Sequence, residues 1–236
     1  MPGKLLMQVD RHNPPGYFGK LPGKSDFVSR RLPRDFVEPW DAWLQQGIES
    51  SRDQLGPDWL TAYLNAPFWR FALAPGICGD WSAAGVIMSS VDHVGRYFPL
   101  TLAALLPNHP RPAQIFAVAG DWFDAAETLL LGVLDQPFDL ESFDKRVSQI
   151  GIPSTAEGAP LAAEIGRMLR IPLAAKGDFG AAGPVLIDAM LTVLRPGYSL
   201  WWTVGSEAVP SACLVCQGLP EAEHFATLLV EPPVLC

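Results

Sequence analysis

Ala83-Ala84-Gly85-Val86-Ile87-Met88 and Leu100-Thr101-Leu102-Ala103-Ala104-Leu105-Leu106 are two apolar runs, and the turn-forming stretch Asp92-His93-Val94-Gly95-Arg96-Tyr97-Phe98-Pro99 lies between them. A strand with one wet face alternates polar and apolar positions, whereas a short continuous run is a strand buried on both faces. The pair therefore predicts neighbouring strands inside a sheet covered on both sides. Upstream, Phe68 to Leu73 alternates and reads as a further strand. Downstream, Tyr198 to Val204 and Ala212 to Cys216 read as two more. Tyr17-Phe18-Gly19 adds a strand that runs into a turn-rich loop, Leu21 to Asp26. Strands that follow one another this closely favour antiparallel pairing, because a parallel pair needs a crossover of roughly a dozen residues or more.

Helices supply the cover. Phe36, Trp40, Trp43, Leu44 and Ile48 recur on one face of a 3.6-residue period, with charged and amide residues on the other. They predict a helix from Pro33 to Arg52, which Pro39 either kinks or restarts. Further helices are expected at Asp58 to Asn65, Asp121 to Asp135 (with Asp121 as N-cap), Leu140 to Ile150, Val185 to Leu194 and Glu221 to Val230. Residues 151–183 are rich in Gly, Pro and Ala and read as irregular, with Leu161 to Leu169 as a helix inside them. Residues 1–14 read as flexible. No repeat and no linker divides the chain. The expected fold is a single α/β domain over residues 1–236, a three-layer α-β-α sandwich with a mixed, partly antiparallel sheet.

Composition removes several function classes. Of 236 residues, 49% are apolar and only 18% are charged, the reverse of a disordered chain. Seventeen basic against 25 acidic residues give a net charge of −8, and the longest basic cluster is Arg30-Arg31. Nucleic acid and anionic membranes require clustered Lys and Arg, so neither is an expected partner. No apolar run reaches about 18 residues, which argues against membrane insertion. The first apolar stretch is cut off by Asp10, which argues against a signal peptide and for a cytoplasmic protein. The eight Trp point either to a large core or to apolar surface kept for a partner.

The motifs do not assemble into a catalytic centre. Gly23-Lys24-Ser25 resembles the tail of a phosphate loop, but the required glycine five residues earlier is Phe18, and Pro22 removes a backbone donor. Cys213 and Cys216 lie three apart on a strand, where they face opposite sides, and His224 offers at most one more ligand. The four His are scattered, with no nucleophile elbow and no zinc-protease helix. The reading is a non-enzyme without cofactor or metal. Two stretches stand out. Gly19-Lys20-Leu21-Pro22-Gly23-Lys24-Ser25-Asp26-Phe27 mixes charge with turn residues just before an aromatic helix. Asp92 to Leu100 sets charges directly against a core strand. Either a buried Asp–Arg pair fixes a turn there, or a partner reads the surface.

These stretches carry a resemblance. Gly16-Tyr17-Phe18-Gly19-Lys20-Leu21-Pro22 with Asp26-Phe27, the helix with Trp40-Asp41-Ala42-Trp43-Leu44, Pro67-Phe68-Trp69-Arg70-Phe71, Val94 to Leu100, and Ser199-Leu200-Trp201-Trp202 before Gly205-Ser206 resemble the TagF (ImpM) family of type VI secretion accessories. Residues 107–180 hold no matching block. The resemblance implies one cytoplasmic α/β domain that represses secretion after translation without catalysis. Its implied partners are type VI secretion components, with the forkhead-associated scaffold protein foremost. It marks Gly19, Lys20, Leu21, Pro22, Asp26, Phe27, Asp92, Arg96, Trp201 and Trp202 as partner-binding or structural positions, and a weak homo-oligomer is compatible with it. The rival reading is an enzyme or small-ligand binder with a pocket near Lys20, Asp26, Arg70 and Arg96.

Overall fold

Trp69, Phe71 and Leu73 alternate with Arg70 and Ala72 along one strand, and that alternation sorts the interior into two cores. The computed structural model describes residues 14–135, 137–155, 163–165, 168–170 and 182–231. In chain order the elements are β1 (Gly16–Gly19), β2 (Val28–Arg30), α1 (Arg34–Leu55), a 3-10 turn (Gly56–Asp58), α2 (Trp59–Leu64), β3 (Trp69–Leu73), β4 (Ser82–Met88) and β5 (Leu100–Leu106). There follow α3 (Pro112–Val118), α4 (Gly120–Leu131), α5 (Leu140–Gln149), β6 (Ala163–Ile165), β7 (Met168–Arg170), α6 (Gly183–Leu194), β8 (Tyr198–Thr203), β9 (Ala212–Gln217) and a terminal 3-10 helix (Ala222–Leu228).

Seven strands form one sheet in the order β2-β1-β5-β4-β3-β8-β9. Every described pairing is antiparallel, so the sheet is not mixed among the described residues. β4 and β5 pair along their whole length, Ser82 opposite Leu106 through Met88 opposite Leu100, and both are buried throughout. This is the doubly covered strand pair that their unbroken apolar runs predict. No described helix is long and apolar enough to cross a membrane.

One face packs against α1 and the terminal 3-10 helix. Phe36, Trp40, Trp43, Leu44 and Ile48 are all buried there, with Phe71 and Trp201 below them and Phe225 beside them. Pro39 sits inside α1 without restarting it. Gly47 lies where a Cβ would come within 2.3 Å of the Phe225 ring, so glycine lets the last helix close onto the first. The other face packs against α3, α4 and α5 through Leu102, Ala104, Trp122, Phe123, Leu130 and Phe143. Arg70 ties β3 to α4, reaching Glu127 at 2.7 Å and Asp124 at 2.6 Å.

Tryptophan belongs mainly to these cores: Trp40, Trp43, Trp59, Trp69, Trp122 and Trp201 are buried. Their indole N–H groups donate to Thr101 Oγ1, Pro220 O, Ser51 Oγ, Leu228 O, Gly151 O and Ser199 Oγ respectively, at 2.7–2.9 Å. A buried indole N–H without an acceptor is costly, so each donor also fixes its ring's orientation.

Several sequence expectations change. Within the helix expected over Leu161 to Leu169, the described residues are strands instead: Ala163–Ile165 and Met168–Arg170 pair antiparallel, and a glycine in the sequence between them disfavours a helix by about 1 kcal/mol. α4 begins at Gly120 after Ala119, so Asp121 lies in its first turn, not at the cap. Asp139 caps α5 instead, accepting from Ser142 N at 2.9 Å. The last helix is 3-10, and β2 and α3 had no assignment from the sequence. Residues 1–13 of the stretch expected to be flexible over 1–14, and most of the irregular ones over 151–183, lie outside the described residues.

Candidate functional site

Gly19 ends β1 with φ of +136°, and a Cβ there would lie 2.0 Å from the carbonyl oxygen of Pro99. A larger residue cannot pass this close to the start of β5. The turn this glycine allows sends Lys20 inward, where it is buried and donates to the Asp92 carboxylate. Ser90 Oγ holds the Lys20 carbonyl at 2.7 Å.

Asp92 organises the second loop. Its Oδ1 accepts from Val94 N at 3.1 Å and from Arg96 N at 2.8 Å. Its Oδ2 accepts from Arg96 Nε at 2.7 Å as well as from Lys20. Gly95, at φ +84°, closes the turn by donating to Asp92 O at 3.0 Å. Burial raises the Asp92 carboxyl's pKa, but the bonds from Lys20 and from the Arg96 main and side chains outweigh it. The group is held well below the usual carboxylate range.

The loops are stitched to each other above this carboxylate. Arg96 donates to Ser25 O, His93 N donates to Lys24 O at 3.4 Å, and Ser25 Oγ lies 3.1 Å from His93 Nδ1. Phe27 rests on Phe98, ring centroids 4.7 Å apart, and the Lys20 ammonium lies 4.8 Å from the Phe27 ring. The result is a cross-braced platform with a buried base of Gly19, Lys20, Leu21 and Asp92. Lys24, Ser25, Asp26, Phe27, His93, Val94 and Arg96 face outward, and Phe27 is 48% exposed. Two cations share one buried carboxylate. The Asp–Arg pair fixes the turn, as the first of the two readings expects.

The remaining predicted positions lie apart. Pro22 is half-buried in the first loop. Trp201 is wholly buried against Trp40 at 5.8 Å, so a partner of the folded chain does not reach it. Trp202 points to the opposite face, edge-on to Phe123 at 4.7 Å. Three strands separate β8 from β1 in the sheet. Arg70 is committed to α4, and Asp26 makes no ion pair among the described residues. Lys20, Asp26, Arg70 and Arg96 therefore do not line one cleft. One apolar cleft lies between Tyr63, Trp69, Phe225 and Leu228. Two others open beside Pro75 and Gly197, at the far end of the sheet from the platform.

Cys213 and Cys216 are free thiols on β9, one exposed and one partly buried, as alternating strand positions require. Glu221, Glu223 and His224 bring their ligand atoms within 4.8 Å of one another, but all three are exposed around the start of the terminal 3-10 helix. Lys24, Ser25, His93 and Val94 lie inside the two stretches that stand out in the sequence but are not among the positions the resemblance marks. Their signal was the concentration of turn residues in two loops that the β1–β5 pairing brings together.

The profile of the TagF N-terminal domain, described as type VI secretion system-associated, matches residues 16–150. The chain belongs to the TagF family. The matched region contains both loops of the platform, Arg70 and the α1 stripe, and it reaches beyond the blocks that carried the resemblance into α3, α4 and α5. The crystal structure of PA0076 from Pseudomonas aeruginosa PAO1, at 2.05 Å resolution, superposes on this TagF-family chain with a TM-score of 0.81. The two are 39% identical over 94% of this chain and 96% of that one. No curated protein sequence matches the chain. TagF membership associates the chain with the type VI secretion system.

Proposed function

We propose that this chain acts as one cytoplasmic α/β domain and represses type VI secretion after translation, without catalysis. It does so by holding a component of the apparatus, such as the forkhead-associated scaffold protein, in an inactive state. The observation that carries this reading is the two-loop platform. Charged groups that could have formed a reacting centre are instead spent on one another inside it. Phe27, Val94, Lys24 and Arg96 are held out on a preorganised frame, and that arrangement suits recognition. Silencing a partner requires only tighter binding to its inactive form. A near-complete switch needs about 5.5 kcal/mol of difference between the two forms.

The test is genetic and biochemical together. Deleting the gene should raise secretion without raising the amount of secretion components, and overproduction should stop it. A chain with Phe27→Ala and Val94→Asp, both exposed positions, should fold normally and fail to capture the purified scaffold protein. Unchanged secretion under both deletion and overproduction would end the regulator reading. Normal capture by the folded variant would move the contact away from the platform and leave the regulator reading in place.

A further inference from the structure

α6 is unlike the other described helices in what it shows to solvent. Leu186, Ile187, Met190, Val193 and Leu194 are 47%, 52%, 63%, 80% and 65% exposed. Its inner side is accounted for: Val185 is buried and Leu191 packs on the cluster of Ala113, Tyr198 and Leu200. Asp188, the helix's one charged residue, is also used inward. It accepts from the Tyr198 hydroxyl at 2.8 Å and lies 3.9 Å from Arg111 Nε. The five outward residues therefore form a stripe with no charge and no hydrogen-bonding side chain.

Their spacing is symmetric. Relative to Met190 they stand four before, three before, three after and four after, which is one face of a 3.6-residue helix. A two-fold axis through Met190 would set two such helices antiparallel. Leu186 would then meet the partner's Leu194, Ile187 the partner's Val193, and Met190 the partner's Met190. Each contact joins apolar side chains of similar size, as an isologous interface requires.

Two further arguments favour a second copy over a different protein. Contacts between unlike proteins are about as polar as ordinary surface, whereas homodimer contacts are more apolar. Each chain carries a net charge of −8, and an uncharged face is where two copies can meet without setting like charges against each other. The area is sufficient. Full cover of the five would remove about 550 Å² per copy, or about 1,100 Å² for the pair, against the roughly 1,000 Å² a specific interface needs. We propose that the chain forms a two-fold dimer through α6, with the helices antiparallel and Met190 at the axis. This dimer does not depend on the regulator reading.

Sedimentation equilibrium of the full chain over a range of concentrations tests it. The expected result is a monomer–dimer equilibrium whose dissociation constant rises about 100-fold or more on Met190→Glu, since two buried like charges then face each other. The unfolding temperature at low concentration should stay the same, because Met190 is exposed in the single chain. In a background with Cys213, Cys216 and Cys236 replaced by Ser, Met190→Cys should give a disulfide-linked dimer under mild oxidation, and Val204→Cys should not. A monomer at all concentrations, or a dimer that survives Met190→Glu, would overturn the proposal. So would a stripe found covered in the monomer by the chain's own residues 156–181.

Discussion

Asp92 accepts four hydrogen bonds from three residues and has no side-chain exposure, so its charge is fully committed. Its pKa in the folded chain lies below the unfolded value. A depressed carboxyl of this kind contributes stability that is complete at neutral pH and is lost as pH falls below about 4. Asp92→Asn should therefore lower the unfolding temperature at pH 7. The difference from the parent chain should shrink as the pH is lowered from 5 to 3, followed by thermal unfolding in each buffer. A constant difference across that range would mean that the carboxylate's charge is not what holds the loops. The sequence disclosed part of this arrangement. An Asp and an Arg four apart around Gly95 read as a turn-fixing pair. Lys20, 72 residues away, could not be joined to them, because only the β1–β5 pairing brings the two loops together.

At the scale of elements, α1 was legible and its closing partner was not. The stripe from Phe36 to Ile48 is a property of sequence spacing, and burial follows from it. That Gly47 faces Phe225 depends on how the terminal 3-10 helix docks, which no local pattern records. Gly47→Ala tests the contact, because two effects oppose each other there. Alanine favours the helix by about 1 kcal/mol, while its Cβ would sit 2.3 Å from the Phe225 ring and force it aside. The clash should win, with a net loss of about 1–2 kcal/mol in urea unfolding. The loss should diminish in a Phe225→Leu background, since neighbouring substitutions couple. A more stable Gly47→Ala chain would mean that the last helix is only loosely held. Elsewhere the local signals were too short or ambiguous. β2 has three residues, α3 begins in a proline-flanked loop, and residues 161–169 fit either period. In each case tertiary pairing chose the outcome.

For the molecule as a whole, the two apolar runs at 83–106 were enough to predict a doubly covered sheet. Its strand order was not predictable, because β8 enters beside β3 from far along the chain. That insertion means the family-matched region, residues 16–150, holds the core under α3–α5 but not the whole of the core under α1, which draws Trp201, Val209, Phe225, Leu228 and Leu229 from beyond it. Trp40 stacks on Trp201, Trp43 packs against it at a tilt, and Trp43 donates its N–H to Pro220 O. A chain ending at residue 150 should lack a cooperative thermal transition and show the red-shifted emission of solvated tryptophan. A sharp transition with blue-shifted emission would contradict this.

The same connectivity bears on synthesis. Trp43 leaves the ribosome roughly 180 residues before Phe225, an interval of about 10–35 s at bacterial elongation rates. Through that interval the aromatic face of α1 has no lid, and the nascent chain presents two adjacent indoles to whatever binds unfinished proteins. The tryptophans that lock the finished molecule are thus also what makes its birth dependent on protection, and slowing translation after residue 150 should lower the yield of folded chain.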